Sequence, residues 1–354
     1  MGLPPRSASA LAVSAGLVVA LGLSGCGAPT RSEGPPTIGL VVQNTEVGFA
    51  KEWTSGFRAG AQLAGGVNAT VIGPPTDDGA MEVDLFKQLT GSANGGLAVA
   101  PLTPELLAGP EADAVENGIP VVALSTPPAP GSGVRLLVGN DSYQLGELLA
   151  DELLRRLPPN STGKVILGNV TPGLAGQDAR AKGMRDRLTE RMPSLRVMGP
   201  FDTQKEQAAN LSAWQVLVAA NPDAVAFLGT GDLDAINLAS IRTSTGGTWL
   251  AAGYSVDHRA LQAVKDGQLF AVVSPDHFLT AALAGWLLAQ HAKGAAPLPE
   301  GWYAQPGLLV TSANVDQISQ RESSDANKLA WFKPQLDRAT ANLAPYLRPL
   351  NQVR

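Results

Sequence analysis

The one cysteine of this 354-residue chain, Cys26, closes the tetrapeptide Leu23-Ser24-Gly25-Cys26. A thiol preceded by small residues, an apolar run over residues 8–23 and one basic residue, Arg6, has the order of a bacterial lipobox ending a secretory signal. The chemistry implied is lipidation of the Cys26 sulfur and cleavage before it. The apolar run is shorter than the roughly 20 residues a spanning helix needs. The other reading, a buried core cysteine, leaves unexplained why a thiol with no partner for a disulfide follows such a signal. Residues 1–25 are thus expected to be a signal peptide. Residues 26–36, small, polar and proline-rich, have tether composition. Two or more acyl chains would hold the protein stably on a membrane. If cleavage fails, the same segment becomes a signal anchor, and the body still works outside the cytoplasmic membrane.

The other reactive side chains read as binders. The hydrolase, nucleotide and zinc motifs Gly-x-Ser-x-Gly, Gly-x-Gly-x-x-Gly, the Walker loop and His-Glu-x-x-His are absent. Gly229-Thr230-Gly231-Asp232 is glycine-rich but lacks the spacing and the lysine of a phosphate loop. The three histidines, His258, His277 and His291, have no metal-ligand spacing, and no metal or cofactor is expected. Net charge is −5. Loss of residues 1–25, whose only charged side chain is Arg6, takes it to −6. A mildly acidic chain argues against nucleic acid, which needs a basic face.

The elements that must position these groups alternate. Apolar strands are expected near residues 37–43, 68–72, 96–100, 120–124 and 136–138, with helices over 48–64, 81–89, 104–117 and 143–157. In the first helix Phe49, Trp53, Phe57 and Ala61 recur every four residues. A second block repeats the scheme, with strands near 164–167, 196–199, 224–228, 249–252 and 270–273. Its helices are expected over 178–192, 205–220, 232–243, 257–266 and 279–293. Strands alternating with helices imply parallel sheets covered on both faces. The expected fold is therefore α/β, as two doubly wound, Rossmann-like lobes. Ligands of such sheets sit beyond the carboxyl ends of the strands. That draws attention to Gln43 to Phe49, Ser125, Asn140, residues 170–180, Thr230 to Asp232, Ser255, and Asp276 with His277.

The order of several segments resembles the type I periplasmic binding proteins, in particular the ribose- and galactose-binding group. The carrying segments are Ile38-Gly-Leu-Val-Val-Gln43, Gly48-Phe49, Gly56 and Gly60, Ala98-Val-Ala-Pro101, Gly118-Ile-Pro-Val-Val-Ala-Leu124 and Gly139-Asn140-Asp141. They continue with Ala179-Arg180 before Lys182-Gly183-Met184, Asn221-Pro-Asp-Ala-Val-Ala-Phe227, Ala251-Ala-Gly253-Tyr254 and Lys265-Asp-Gly-Gln268. The likeness spans about residues 37–311. It implies two lobes joined by a three-crossover hinge near Gly139, Pro275 and Ala304. Lobe one would hold 37–139 and 276–304. Lobe two would hold 140–275 and 305–354, including a helical extension at 325–347. It also implies a monomer that closes on a small polar ligand, a sugar or polyol, and hands it to an ABC permease. A receptor docking on a membrane sensor kinase and a surface hydrolase are the alternatives.

The chain departs from that pattern where sugars are held. An Asp-Arg pair, an arginine, an aspartate and a glutamine are usual where this chain has Ser125-Thr126, Asp178, Ser255 and Pro275. The resemblance places Phe49 where an aromatic ring stacks on a sugar face, although Phe49 equally begins the core stripe. Gln43 and Asn44 both donate and accept hydrogen bonds, as hydroxyls require, or cap the strand end. Glu46 is a further candidate. Asp178 and Asp232 are candidate hydroxyl acceptors or helix N-caps, and Arg180 a ligand contact or a bridge to Asp178 or a backbone. Asn140 would touch ligand or fix the hinge. If Asp276 and His277 reach the cleft, an amino-bearing ligand becomes plausible. Trp214, Trp249, Trp286, Trp302 and Trp331 read as core.

Overall fold

The structure, a computed structural model, describes residues 34–354. The expected signal peptide, the lipidation site Cys26 and most of the tether lie outside the described residues. The first lobe is entered through β1 (Thr37–Val42), α1 (Gly48–Ala64), β2 (Asn68–Ile72), α2 (Gly79–Thr90), β3 (Leu97–Ala100), α3 (Pro104–Glu116), β4 (Val121–Leu124) and β5 (Leu136–Asn140). The second is built from α4 (Ser142–Arg156), β6 (Gly163–Asn169), α5 (Ala175–Arg191), β7 (Leu195–Asp202), α6 (Gln207–Ala220), β8 (Ala224–Leu228), α7 (Asp232–Thr245), β9 (Leu250–Tyr254), α8 (His258–Lys265) and β10 (Ala271–Ser274). The chain then returns through α9 (His277–Ala292) and β11 (Gly301–Gln305), crosses again for β12 (Leu308–Val310) and α10 (Val315–Glu322), and ends with α11 (Asp325–Ala341) and β13 (Leu347–Arg348).

Two sheets result. The first runs β13-β11-β5-β4-β3-β1-β2 and the second β12-β10-β9-β8-β6-β7. Pairing is parallel except at β11–β13 and β10–β12, the antiparallel edges. The hinge strands β5 and β11 lie at one end of the first sheet, and β10 and β12 at one end of the second. β2 and β7 form the opposite edges. Strands β3, β4 and β5 are buried throughout, as expected where helices cover both faces.

Close helix pairs fix each lobe's cleft-facing helix. A Cβ on Gly56 or Gly60 of α1 would run into the carbonyls of Phe278 and Ala282 on α9. In lobe two, a Cβ on Gly146 of α4 would run into the Arg180 carbonyl, and one on Gly183 of α5 into the Tyr143 carbonyl. Side-chain-free positions thus set how deeply α1 and α5 seat, and with them Phe49 and Arg180.

The end of the chain departs from expectation. The expected assignment of residues 305–354 to lobe two holds only through α10, whose Val315 and Ile318 enter the second lobe's core. Helix α11 packs Phe332, Leu336 and Ala339 into the first lobe's core, and β13 pairs with β11 of the first sheet. The apolar stripe of α11 has its best partner in α1 and α9, against which Phe332 stacks on Phe278 at 5.9 Å. The hinge is therefore crossed four times, at β5–α4, β10–α9, β11–β12 and α10–α11. Helix α11 stops at Ala341, short of 347. The chain turns extended at Asn342 and enters a single 3-10 turn containing Pro345, which has no N–H to continue a helix. Among the described residues no helix is long and apolar enough to cross a membrane.

Candidate ligand-binding cleft

On lobe one, α1 starts where β1 ends, so Phe49 projects from the first turn at the carboxyl end of the sheet. Trp53 follows one turn later. Their rings meet edge to face at 5.2 Å, and His277, the first residue of α9, packs on both, at 5.9 Å from Phe49 and 5.2 Å from Trp53. The three rings form one wall. Polar atoms in it lack partners: Trp53 Nε1 and His277 Nδ1 are buried and make no hydrogen bond, and so is Ser125 Oγ after β4. Ser125 adopts φ 59°, a conformation non-glycine residues seldom take. Burial, aided by the Arg180 charge, pulls the His277 pKa down to about 3, so its imidazole is neutral.

The opposing surface belongs to lobe two. Arg180, in the second turn of α5, lies over the Tyr254 ring at 4.5 Å and donates from Nη1 to the Thr230 carbonyl at 2.9 Å. Its Nε is buried without a partner, as are the Tyr254 hydroxyl and Oε1 of Gln177, one turn before it on α5. Asp232 opens α7, near enough to Arg180 to feel its charge. Burial raises its pKa to about 6, against the lowering pull of Arg180, with Asp257 raising it further. Burial also lifts the Tyr254 phenol well above its ordinary range.

Asp232 is presented by a loop that a different carboxylate organises. Asp234 is wholly buried and receives Thr203 Oγ1 at 2.7 Å, Asn210 Nδ2 at 2.9 Å, Trp214 Nε1 at 2.8 Å, and the backbone N–H groups of Thr230 and Gly231 at 2.9 and 3.0 Å. Burial raises its pKa while these donors oppose the rise. Such a saturated carboxylate is a rigid post for the β8–α7 turn. The aromatic wall of one lobe and the cation, carboxylate and phenol of the other are linked through His277, which feels the Arg180 charge, and both carry buried polar atoms without partners.

Residues 38–296 match the model of the periplasmic binding protein domain. The chain belongs to the periplasmic binding protein family. Solved structures similar to this periplasmic binding protein include an ABC transporter solute-binding protein from Burkholderia graminis in complex with D-arabinose. That one has 19% identity and TM-score 0.73, and the match covers 80% of this chain and 98% of that one. An arabinose-binding protein from Geobacillus stearothermophilus matches at 21% identity and TM-score 0.71, covering 80% and 99%. A solute-binding protein from Agrobacterium vitis with bound D-fucose matches at 22% and 0.72, covering 79% and 97%. No curated protein is similar in sequence at a significant level. As a member of this family the chain is a binding protein, not an enzyme.

Several candidate residues of this periplasmic binding protein are engaged elsewhere. Asp178, expected as a ligand acceptor or N-cap, does not cap α5, whose N-cap is Leu174. It lies inside the first turn of α5 and accepts Asn169 Nδ2 at 2.7 Å and the Gly173 N–H at 3.1 Å, so it shapes its own loop. Asp276 does not face the cleft. It is tied to Arg321 at 2.8 Å and to Ser274 at 2.6 Å, which removes the argument for an amino-bearing ligand. Asn140 donates to the Gln305 carbonyl at 3.0 Å and staples two hinge strands. Asn44 is turned to Asp77, to which its Nδ2 donates at 2.8 Å. Glu46 is exposed, 3.7 Å from Lys51. Thr230 is fully buried; its Oγ1 accepts the Val170 N–H, and its side chain braces the loop. Gln43 is half-buried at the end of β1. Ser255 Oγ accepts the Asp257 N–H at 3.0 Å and so shapes the turn into α8.

Phe49, Ser125, Arg180, Asp232 and His277 are the candidates whose polar or ring surfaces these contacts leave at least partly open. Trp53 was read only as core, and Gln177 and Tyr254 only as residues beyond strand ends, yet each leaves a buried polar atom open beside these candidates. Trp53 sits in the core stripe by periodicity, yet its indole edge meets His277. Tyr254 ends β9, where its position after a strand was the only signal.

Proposed function

We propose that this protein is an extracytoplasmic, lipid-anchored receptor that captures a neutral sugar or polyol by closure of its two lobes and delivers it to an ABC importer. The observation that carries the reading is the facing pair of surfaces. Phe49, Trp53 and His277 offer an apolar wall for a C–H face, while Arg180, Asp232 and Tyr254 offer donors and acceptors for hydroxyls. The buried, unpartnered atoms Trp53 Nε1, Gln177 Oε1, Arg180 Nε and Tyr254 OH are costly until a guest satisfies them. Hydroxyls both donate and accept, and so meet this mixed set. Arg180 repels a cationic guest and Asp232 an anionic one, which favours neutrality. The D-arabinose and D-fucose complexes of similarly folded proteins support a monosaccharide-sized guest. Lipidation at Cys26 would keep the receptor beside its permease at high effective concentration.

A thermal-shift and calorimetric screen of D-arabinose, D-fucose, D-allose, ribose and common polyols tests this. Saturable binding of at least one, weakened by Phe49→Ala and by Asp232→Asn, supports the reading. Binding only of amines or of nothing polyhydroxylated contradicts it. Mass spectrometry of the membrane-extracted protein tests for the acylated Cys26.

A further inference from the structure

The family match ends at residue 296, yet the chain goes on to cross between the lobes twice more. Helix α10 belongs to lobe two, where Val315 and Ile318 enter the core and Asp316 pairs with Lys265 at 2.6 Å. Two residues later, Ser324 caps α11, accepting the Asn327 N–H at 3.2 Å, and α11 lies on lobe one. Charged side chains bind this crossing on both sides. Arg321, 1% exposed at its side chain, holds Asp276 of the second crossover at 2.8 Å and Glu322 at 2.6 Å. Lys328 of α11 bonds Glu52 of α1 and lies 3.6 Å from Glu322. The ions run without a break from α10 through the crossover to α1. After β13 the chain turns back once more. Arg348 and Arg354 lie 3.4 and 3.3 Å from the Asp141 carboxylate at the start of α4, and Arg354 rests over the Tyr143 ring of lobe two at 4.8 Å.

We propose that residues 324–354 are a brace across the hinge that holds the two lobes near the arrangement seen here and narrows the range of their opening. Removing one partner of a largely desolvated pair leaves a buried charge unpaired, so the Lys328 link resists separation of α10 from α1. The tail adds weaker, more exposed pairs. Closure is an equilibrium, and contacts made only in one arrangement shift it.

The test uses the full chain without ligand, with nitroxide labels on Ala80→Cys and Ala208→Cys in a Cys26→Ser background. Both positions are exposed, in the first turns of α2 and α6 on opposite lobes. Pulsed electron–electron resonance then reads the separation of the lobes. The brace requires one short distance in the parent. It requires a longer component, at least fivefold more populated, in Arg348→Gln/Arg354→Gln and in Lys328→Met, with Lys328→Arg keeping the parent distribution. Unchanged distributions in the tail pair and in Lys328→Met overturn the proposal. Should Lys328→Met fail to fold, the tail pair, whose side chains are largely exposed, decides alone.

Discussion

Lys205 Nζ lies 2.7 Å from Asp77 Oδ2, and this ion pair joins lobe two to lobe one. Asp77 follows β2 and Lys205 follows β7, the strands farthest from the hinge in their sheets. The pair therefore spans the mouth of the cleft. Asn44 orients it by donating to the other Asp77 oxygen at 2.8 Å. The pair is half exposed, which limits its strength to about 1 kcal/mol or less. Lys205→Met is expected to weaken ligand binding by up to about fivefold, mostly as faster release. The parent's affinity should fall with added salt more steeply than the variant's. Stopped-flow measurement across 20–500 mM salt checks both, and equal salt slopes would remove the latch.

The ring wall should matter for binding more than for folding. Phe49 is half-buried, while Trp53 is only 4% exposed. Phe49→Ala is expected to lower affinity about 10- to 100-fold with a small drop in melting temperature. Trp53→Ala should damage both, because it opens the first lobe's core. Paired calorimetry and thermal denaturation separate the two effects.

Binding should depend on pH through Asp232. A carboxylate accepts hydroxyl hydrogens and its acid does not accept them equally well. Burial raises this group to about 6, so affinity should hold above pH 7 and fall by up to about tenfold per pH unit below 6. His277 stays neutral down to about 3 and adds nothing in that range. Asp232→Asn should bind weakly with a flat profile between pH 5 and 8. A sloping profile in that variant would move the titration to another group.

Two buried acids of lobe one set a pH limit on stability. Burial raises both Glu82 and Glu111 to about 7. The Leu102 N–H opposes this at Glu82 and Ser132 at Glu111, while the nearby charges of Asp77 and Glu82, respectively, add to it. In the unfolded chain both ionise near 4.5. Between those values the folded state holds protons that the unfolded state releases. The benefit is full below about 4.5 and is lost as pH rises through about 7, up to roughly 3 kcal/mol for each acid. Glu82→Gln should therefore raise the unfolding midpoint at pH 8 and flatten its dependence between pH 5 and 8 in urea titrations.

Much of the scaffold was legible along the chain. Apolar strands such as Ala224–Leu228 and helices such as Gly48–Ala64 announce themselves by period, and polar residues after strand ends mark the cleft. After β11 the sequence showed the helix that became α11 but neither its lobe nor the short strands around it. Strands β12 and β13 are three and two residues long, too short for a period, and α11 carries an apolar stripe that fits either lobe. The site divided in the same way. Phe49 and Asp232 could be named from their places after strands, yet nothing local told Asp178 and Asp276 from Asp232. All three are acidic residues at the start of a helix.

Local order along the chain carried the alternation of strands and helices and the division into two lobes, because each rests on short-range period. The tertiary structure alone decided which polar groups are spent and which are open. Asp178 found Asn169, Asp276 found Arg321 and Asn44 found Asp77, all through contacts between distant or looped segments. A buried polar atom takes whatever partner the fold brings within about 3 Å. The open atoms of the cleft are those for which the fold brings none.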